Sequence, residues 1–175
     1  MLQLDKLHIY SYYINSNIGM VINMFCSFFG HHDYGLDSEF VLEEEVEKLI
    51  LGCDVDVFYV GNKGRFDRSV HRVLTKMKKK YSFIKVFLVL DSLEPIKNED
   101  EREYLESLKK FEFLLPDGIE NVPRRYRMSY RNKWMIKECD YAIIYYLYPG
   151  TNTQRHLISL TKAHKNVINV AEIIN

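Results

Sequence analysis

Short apolar runs alternate along the chain with longer amphipathic stretches. The runs Met24–Phe29, Val55–Val60, Phe83–Leu90 and Asp140–Tyr148 are apolar, β-branched and aromatic, and read as buried strands; Val167–Val170 is a last, shorter one. Between them the apolar positions fall at helical spacing. Glu39–Leu51 puts Val41, Leu42, Val46, Leu49 and Ile50 on one face and Glu43, Glu44 and Glu47 largely on the other, with Ser38 as the cap and Gly52 just past the end. Phe66–Lys80 spaces Phe66, Val70, Val73, Leu74 and Met77 along one side and ends in a basic run that suits the helix dipole. Pro123 opens a basic helix, Arg124–Glu138, that carries Met128, Trp134, Met135 and Ile136. Gln154–His164 turns Leu157, Ile158, Leu160 and Thr161 inward. Glu94–Lys110, charged and holding Pro95, is expected to be a surface excursion with an exposed helix over Glu101–Leu108; Phe111–Leu115 is a short strand or a return path.

Strands that alternate with helices give an α/β fold: a three-layer Rossmann-like sandwich with a mainly parallel sheet of about five strands, joined by right-handed crossovers. The chain has 175 residues, which suits one domain over 24–175. Met1–Asn23 reads as an extension ahead of it; it has no signal-peptide core, and Met20 and Met24 each offer an internal start. Gly30, Gly61 and Gly150 sit directly at strand ends, and in open α/β sheets ligands bind where those ends gather.

Composition narrows the function. Lys plus Arg equals Asp plus Glu at 24 each, and a general polyanion binder carries a basic excess, so nucleic acid is disfavoured as the main partner. Cys26, Cys53 and Cys139 are odd in number and lack zinc spacing, and are expected as buried thiols in a reducing, cytoplasmic setting. No apolar run reaches the ~20 residues that span a bilayer, so no membrane partner is expected.

Four stretches are candidates for chemistry. Gly61-Asn62-Lys63-Gly64 is a G-x-x-G turn between strand and helix; it is either a plain tight turn or a cradle whose N–H groups take phosphate, with Arg65 and Arg68 following. Pro149-Gly150-Thr151-Asn152-Thr153 packs hydroxyls and an amide at a helix start, as a good cap or a second phosphate loop. Arg131-Asn132 lies beside core-facing Trp134 and Met135, where a cation needs a partner: a carboxylate, or the phosphate or ribose of a ligand. His31, His32 and Asp33 suit a polar contact to base or sugar better than a metal, and neither a metal nor a cofactor is expected.

Four of these pieces resemble the SLOG superfamily, the Rossmann-like group that includes DprA and the "Lonely guy" cytokinin-activating phosphoribohydrolases, and most of all its small bacterial members. They are Phe28-Phe29-Gly30-His31, Gly61-Asn62-Lys63-Gly64-Arg65-Phe66-Asp67, Arg131-Asn132-Lys133-Trp134-Met135 and Gly150-Thr151-Asn152-Thr153, spread over Met24 to Val170. The resemblance implies a cytoplasmic, dimeric, nucleotide-binding domain, with Gly30, His31, Gly61, Asn62, Gly64, Arg131, Asn132, Gly150, Thr151 and Thr153 around the ligand. The "Lonely guy" enzymes are similar at Met128–Met135, but their loop carries a catalytic glutamate about where Gln154 stands. Glutamine supplies no carboxylate, so N-glycosidic hydrolysis of a nucleoside monophosphate needs Asp33, Asp67 or Asp91 in its place, beside Arg131. DprA, by contrast, implies single-stranded DNA.

Overall fold

A computed structural model describes residues 23–31, 39–92, 103–104 and 106–174. The extension before Asn23, His32, Asp33, the Ser38 cap and Pro95 lie outside the described residues. Strands β1 (Met24–Gly30), β2 (Val55–Val60), β3 (Lys85–Val89), β4 (Glu112–Leu114), β5 (Tyr141–Tyr145) and β6 (Asn166–Asn169) form one sheet. The helices are α1 (Glu39–Gly52), α2 (Arg65–Lys80), α3 (Arg124–Glu138), α4 (Asn152–Lys162) and α5 (Val170–Ile174). A 3-10 turn at Ile119–Asn121 leads into α3.

The sheet has six strands in the order β4-β3-β2-β1-β5-β6, and every neighbouring pair is parallel. This agrees with the expected mainly parallel sheet of about five strands, the sixth falling within Phe111–Leu115, the stretch read as a short strand or a return path. Strand β4 is only three residues long with Glu112 exposed, and its pairing with β3 decides between the two readings of that stretch. β3 starts at Lys85 rather than Phe83, whose ring is 60% exposed.

Side chains that alternate along each strand feed two cores, as a sheet covered on both faces requires. On one face Phe28, Phe58, Val60 and Ile143 meet Leu42, Val46 and Leu49 of α1, Phe66, Val70 and Leu74 of α2, and Val170 and Ala171 of α5. On the other, Phe29, Val57, Tyr59, Ala142 and Ile144 meet Met135 and Ile136 of α3 and Leu160 of α4. Ile158 and Thr161 of α4 turn outward, contrary to expectation, and Met128 of α3 is exposed. Thr151 caps α4 two residues earlier than the apolar spacing suggests, which sets Thr153 and Leu160 as the buried face.

α1 and α2 are tied by a ladder of ion pairs at a constant offset: Glu39–Arg72, Glu43–Lys76 at 2.9 Å and Glu47–Lys80. These pairs are largely solvated, so they set register more than they stabilise. Gly30 plays the opposite role. A Cβ there would lie 2.3 Å from Cγ of Phe66, a ring 1% exposed. Gly30→Ala is therefore expected to cost about 1–3 kcal/mol through overpacking, whereas Lys76→Ala costs less than about 1 kcal/mol. Urea titrations of both variants check this; a smaller loss for Gly30→Ala than for Lys76→Ala refutes it.

Candidate functional site

The strand order reverses at β1, which has β2 on one side and β5 on the other. Open parallel sheets bind ligands in the crevice outside the carboxyl ends at such a point. Here that rim receives His31 after β1, Gly61–Gly64 after β2, Asp91 after β3, and Tyr146–Thr151 after β5.

Arg131 reaches the rim from α3 and is 4% exposed. Its Nη1 donates to Asn62 Oδ1 at 2.7 Å; Nε and Nη2 donate to Asn132 Oδ1 at 3.1 and 3.0 Å. Gly61 makes room for it. A Cβ at Gly61 would lie 2.5 Å from Asp67 Oδ2 and 3.1 Å from Arg131 Nη2, so the bare Cα lets a carboxyl and a guanidinium approach the same backbone atom. Asp67 is buried and accepts the Lys63 backbone N–H at 2.9 Å. Burial pushes its carboxyl up to about 6 against the opposing pull of Arg131 and of the Lys63 N–H. Lys63 Nζ turns away to Asp91 at 2.6 Å. Among the described residues no carboxylate lies within ion-pair distance of Arg131, whose donors rest on neutral amide oxygens.

Hydrogen-bond polarity extends the cluster. Asn132 Oδ1 is occupied as an acceptor, so its Nδ2 donates to His156 Nε2 at 3.3 Å. The network thereby assigns the His156 proton to Nδ1, a buried atom without a hydrogen-bond partner. Burial, and then the Arg131 charge, lower His156 to about 4, so it stays neutral. Its ring sits 5.1 Å from that of Phe29. His71 works from below: Nε2 donates to the Gly61 carbonyl at 2.8 Å and Nδ1 accepts from the Tyr104 hydroxyl. Burial lowers it too, to about 4.

His31 lies beneath the rim, 7% exposed. Its Nδ1 meets Thr153 Oγ1 at 3.2 Å, and its Nε2 accepts the Leu147 amide at 3.5 Å. The glycine–threonine loop mostly caps α4: Thr151 Oγ1 accepts from Gln154 N at 3.3 Å, and Gln154 Oε1 accepts from Gly150 N at 2.8 Å. This is a capping-box arrangement displaced by one residue. Gln154 is thus committed to the turn.

The residues expected at the site fall into two linked groups. Gly61, Asn62, Asp67, Arg131 and Asn132 form one cluster; His31 and Thr153 form the other, joined to the first through His156 on the same helix as Thr153. Gly150 and Thr151 stand at the start of α4, and Gly64, with φ 107 and open space around it, begins α2. Gly30 packs on Phe66, and Asp91 holds Lys63. Sequence reasoning missed His71 and His156, although each has a helical-spacing signal: four residues after Asp67 and three after Thr153.

No family model and no curated protein matches the sequence. Solved structures do. DNA processing protein A from Streptococcus pneumoniae superposes with a TM-score of 0.62 at 12% identity, over 83% of this chain and 49% of that one. DNA processing protein A from Helicobacter pylori, solved for its "unique single-stranded DNA binding mode", gives 0.59 at 14% identity, over 82% and 63%. This chain spans less than two thirds of either neighbour. The likeness shows the shared Rossmann-like fold. No helix among the described residues is long and apolar enough to cross a membrane.

The buried histidines give a pH dependence. Both take up protons more readily when unfolded, near their ordinary 6.5, than when folded, near 4, so their contribution is present above about 6.5 and is lost as pH falls towards 4. Asp67 runs the other way: its folded carboxyl titrates at about 6 against 3.8, so its contribution is lost as pH rises through that window. Two groups outweigh one, and stability is expected to fall below pH 6. His71→Gln removes up to about 3 kcal/mol of that fall; urea midpoints from pH 7 to 4.5 with an unchanged slope refute the assignment.

Proposed function

We propose that the chain is a SLOG-type domain that binds a nucleotide or nucleotide-derived ligand at the carboxyl ends of its strands, with Arg131 taking the phosphate. The observation that carries this is a buried guanidinium at the point where the strand order reverses, whose hydrogen bonds among the described residues go to amide oxygens. An oxyanion supplies the countercharge that such a site lacks, through charge-assisted bonds. The rest of the rim suits that ligand. α2 starts at Gly64 with no side-chain cap and nothing within 4 Å of the missing Cβ, which leaves first-turn N–H groups towards an anion. Asn62 and Asn132 fix the guanidinium plane and offer amides to a sugar or base.

Binding is favoured over turnover. Hydrolysis of an N-glycosidic bond needs a carboxylate at the ribose, and Gln154 spends its oxygen on the Gly150 amide. Asp67 is the strongest substitute, since it is buried beside Arg131 with a carboxyl that titrates at about 6. Single-stranded DNA is the second reading, favoured by the Helicobacter pylori neighbour and by Arg124, Arg125 and Arg127 at the start of α3.

Isothermal titration against a panel of nucleotides tests the first reading. Arg131→Met, which keeps the stem, is expected to weaken binding roughly 10- to 100-fold, the range of one charge-assisted hydrogen bond. Asp67→Asn removes a competing negative charge and is expected to tighten it. A folded protein that binds none of the panel, or an Arg131→Met variant that binds as well as the parent, sinks the reading. For the second, a labelled oligothymidine is expected to shift with an affinity that falls as salt rises; no shift at low salt removes it.

A further inference from the structure

We propose that His156 is a positioning residue for phosphate capture: it holds the Asn132 amide so that the amide oxygen faces Arg131. This rests on the phosphate reading above and adds the residue that prepares the guanidinium for its ligand.

An asparagine amide can present either its oxygen or its NH2 group to a neighbour. At Asn132 the two orientations are not equivalent. Oδ1 accepts from Arg131 Nε at 3.1 Å and from Nη2 at 3.0 Å, so it covers one edge of the guanidinium fork. The exchanged amide would set its NH2 group against those same N–H donors. The other end of the amide meets His156 Nε2 at 3.3 Å. An unprotonated Nε2 accepts from Asn132 Nδ2 and keeps Oδ1 on Arg131. A protonated Nε2 donates, and draws the oxygen away. The state of one ring nitrogen on α4 thus sets an amide on α3, and through it the guanidinium.

The surroundings keep Nε2 unprotonated. Burial, and then the Arg131 charge, lower His156 to about 4, so the ring is neutral and carries a single proton. That proton falls on Nδ1, which is buried and has no hydrogen-bond partner among the described residues. A buried N–H left unmet costs free energy, so the ring gains nothing at Nδ1 from this tautomer; the gain is at Nε2. The ring itself is held against Phe29 at 5.1 Å and 49°, where α3 and α4 pack side by side on one face of the sheet. The cost falls on α4 and the benefit appears at Arg131. With Asn62 Oδ1 on Nη1 at 2.7 Å as well, the plane of the guanidinium is fixed before a ligand arrives, and a donor set in advance loses little freedom on binding.

The test has a ligand-free arm and a binding arm, both on the full chain. Nitrogen NMR of the imidazole rings near neutral pH is expected to show His156 neutral with its proton on Nδ1. A proton on Nε2 overturns the proposal whether or not a ligand binds. In the binding arm, adenosine monophosphate and inorganic phosphate are titrated into wild type, His156→Phe and His156→Gln. His156→Phe keeps a ring against Phe29 and removes the unmet N–H, so its urea midpoint is expected to be no lower than that of wild type. It is nevertheless expected to bind both probes roughly 3- to 10-fold more weakly, part of the range for one hydrogen bond to a charged group. His156→Gln, whose side-chain oxygen accepts from Asn132, is expected to recover most of that loss. In an Asn132→Ala background His156→Phe is expected to have no further effect. A folded His156→Phe that binds as wild type does, or that loses the same affinity with and without Asn132, overturns the positioning role and leaves the phosphate site standing. Binding of neither probe by wild type overturns both readings together.

Discussion

A positive charge buried at the end of a parallel sheet constrains much of what surrounds it. Removing a guanidinium from water is costly, and its donors must be met. Arg131 meets this cost with two asparagine oxygens instead of a carboxylate, so its hydrogen bonds are largely satisfied while its charge is not. Asp67, whose carboxyl burial pushes up to about 6, opposes the Arg131 charge from beyond ion-pair distance. Gly61 is the geometric condition for the whole arrangement, because any side chain there collides with both groups.

The same constraint explains why neutral histidines surround the cluster. A second cation beside Arg131 is unfavourable, and burial already disfavours the charged imidazole. His156 is kept neutral by both effects and is oriented by Asn132; His71 is kept neutral mainly by burial and holds the Gly61 carbonyl that closes the turn. Tyr104 completes that support from outside the sheet, and Arg68 lies over its ring at 4.8 Å. Tyr104, from the stretch read as a plain excursion in sequence, is therefore tied to α2 through His71 and Arg68.

The strands and the rim were legible because burial on both faces writes long apolar runs, and glycine marks where a run ends at a close approach. Gly61-Asn62 and Arg131-Asn132 are 69 residues apart yet meet, and both were marked by chemistry out of place in its context. Phe111–Leu115 stayed open between a short strand and a return path because three residues at a sheet edge have no periodicity to decide it. The outward turn of Ile158 was hidden by the cap: once Thr151 starts the helix, the buried face is fixed by Thr153 and Leu160, and apolar spacing alone does not reveal that choice. The contact of His156 with Asn132 depends on which elements neighbour one another, which no local pattern encodes.

Net charge and local charge give different answers about partners. A chain with equal numbers of acids and bases attracts no polyanion at long range. Much of that balance is consumed in local pairs, such as the ladder between α1 and α2, and these say nothing about the rim. Among the described residues the carboxyl ends also hold a buried guanidinium and a helix start without a side-chain cap, and each acts within a few ångströms. Such short-range groups recognise one phosphate well. They fit a single nucleotide, or one nucleotide unit of a strand, and the two cases separate by salt: counterion release grows with each phosphate neutralised, so a one-phosphate contact gives a shallow dependence and a tracked strand a steep one.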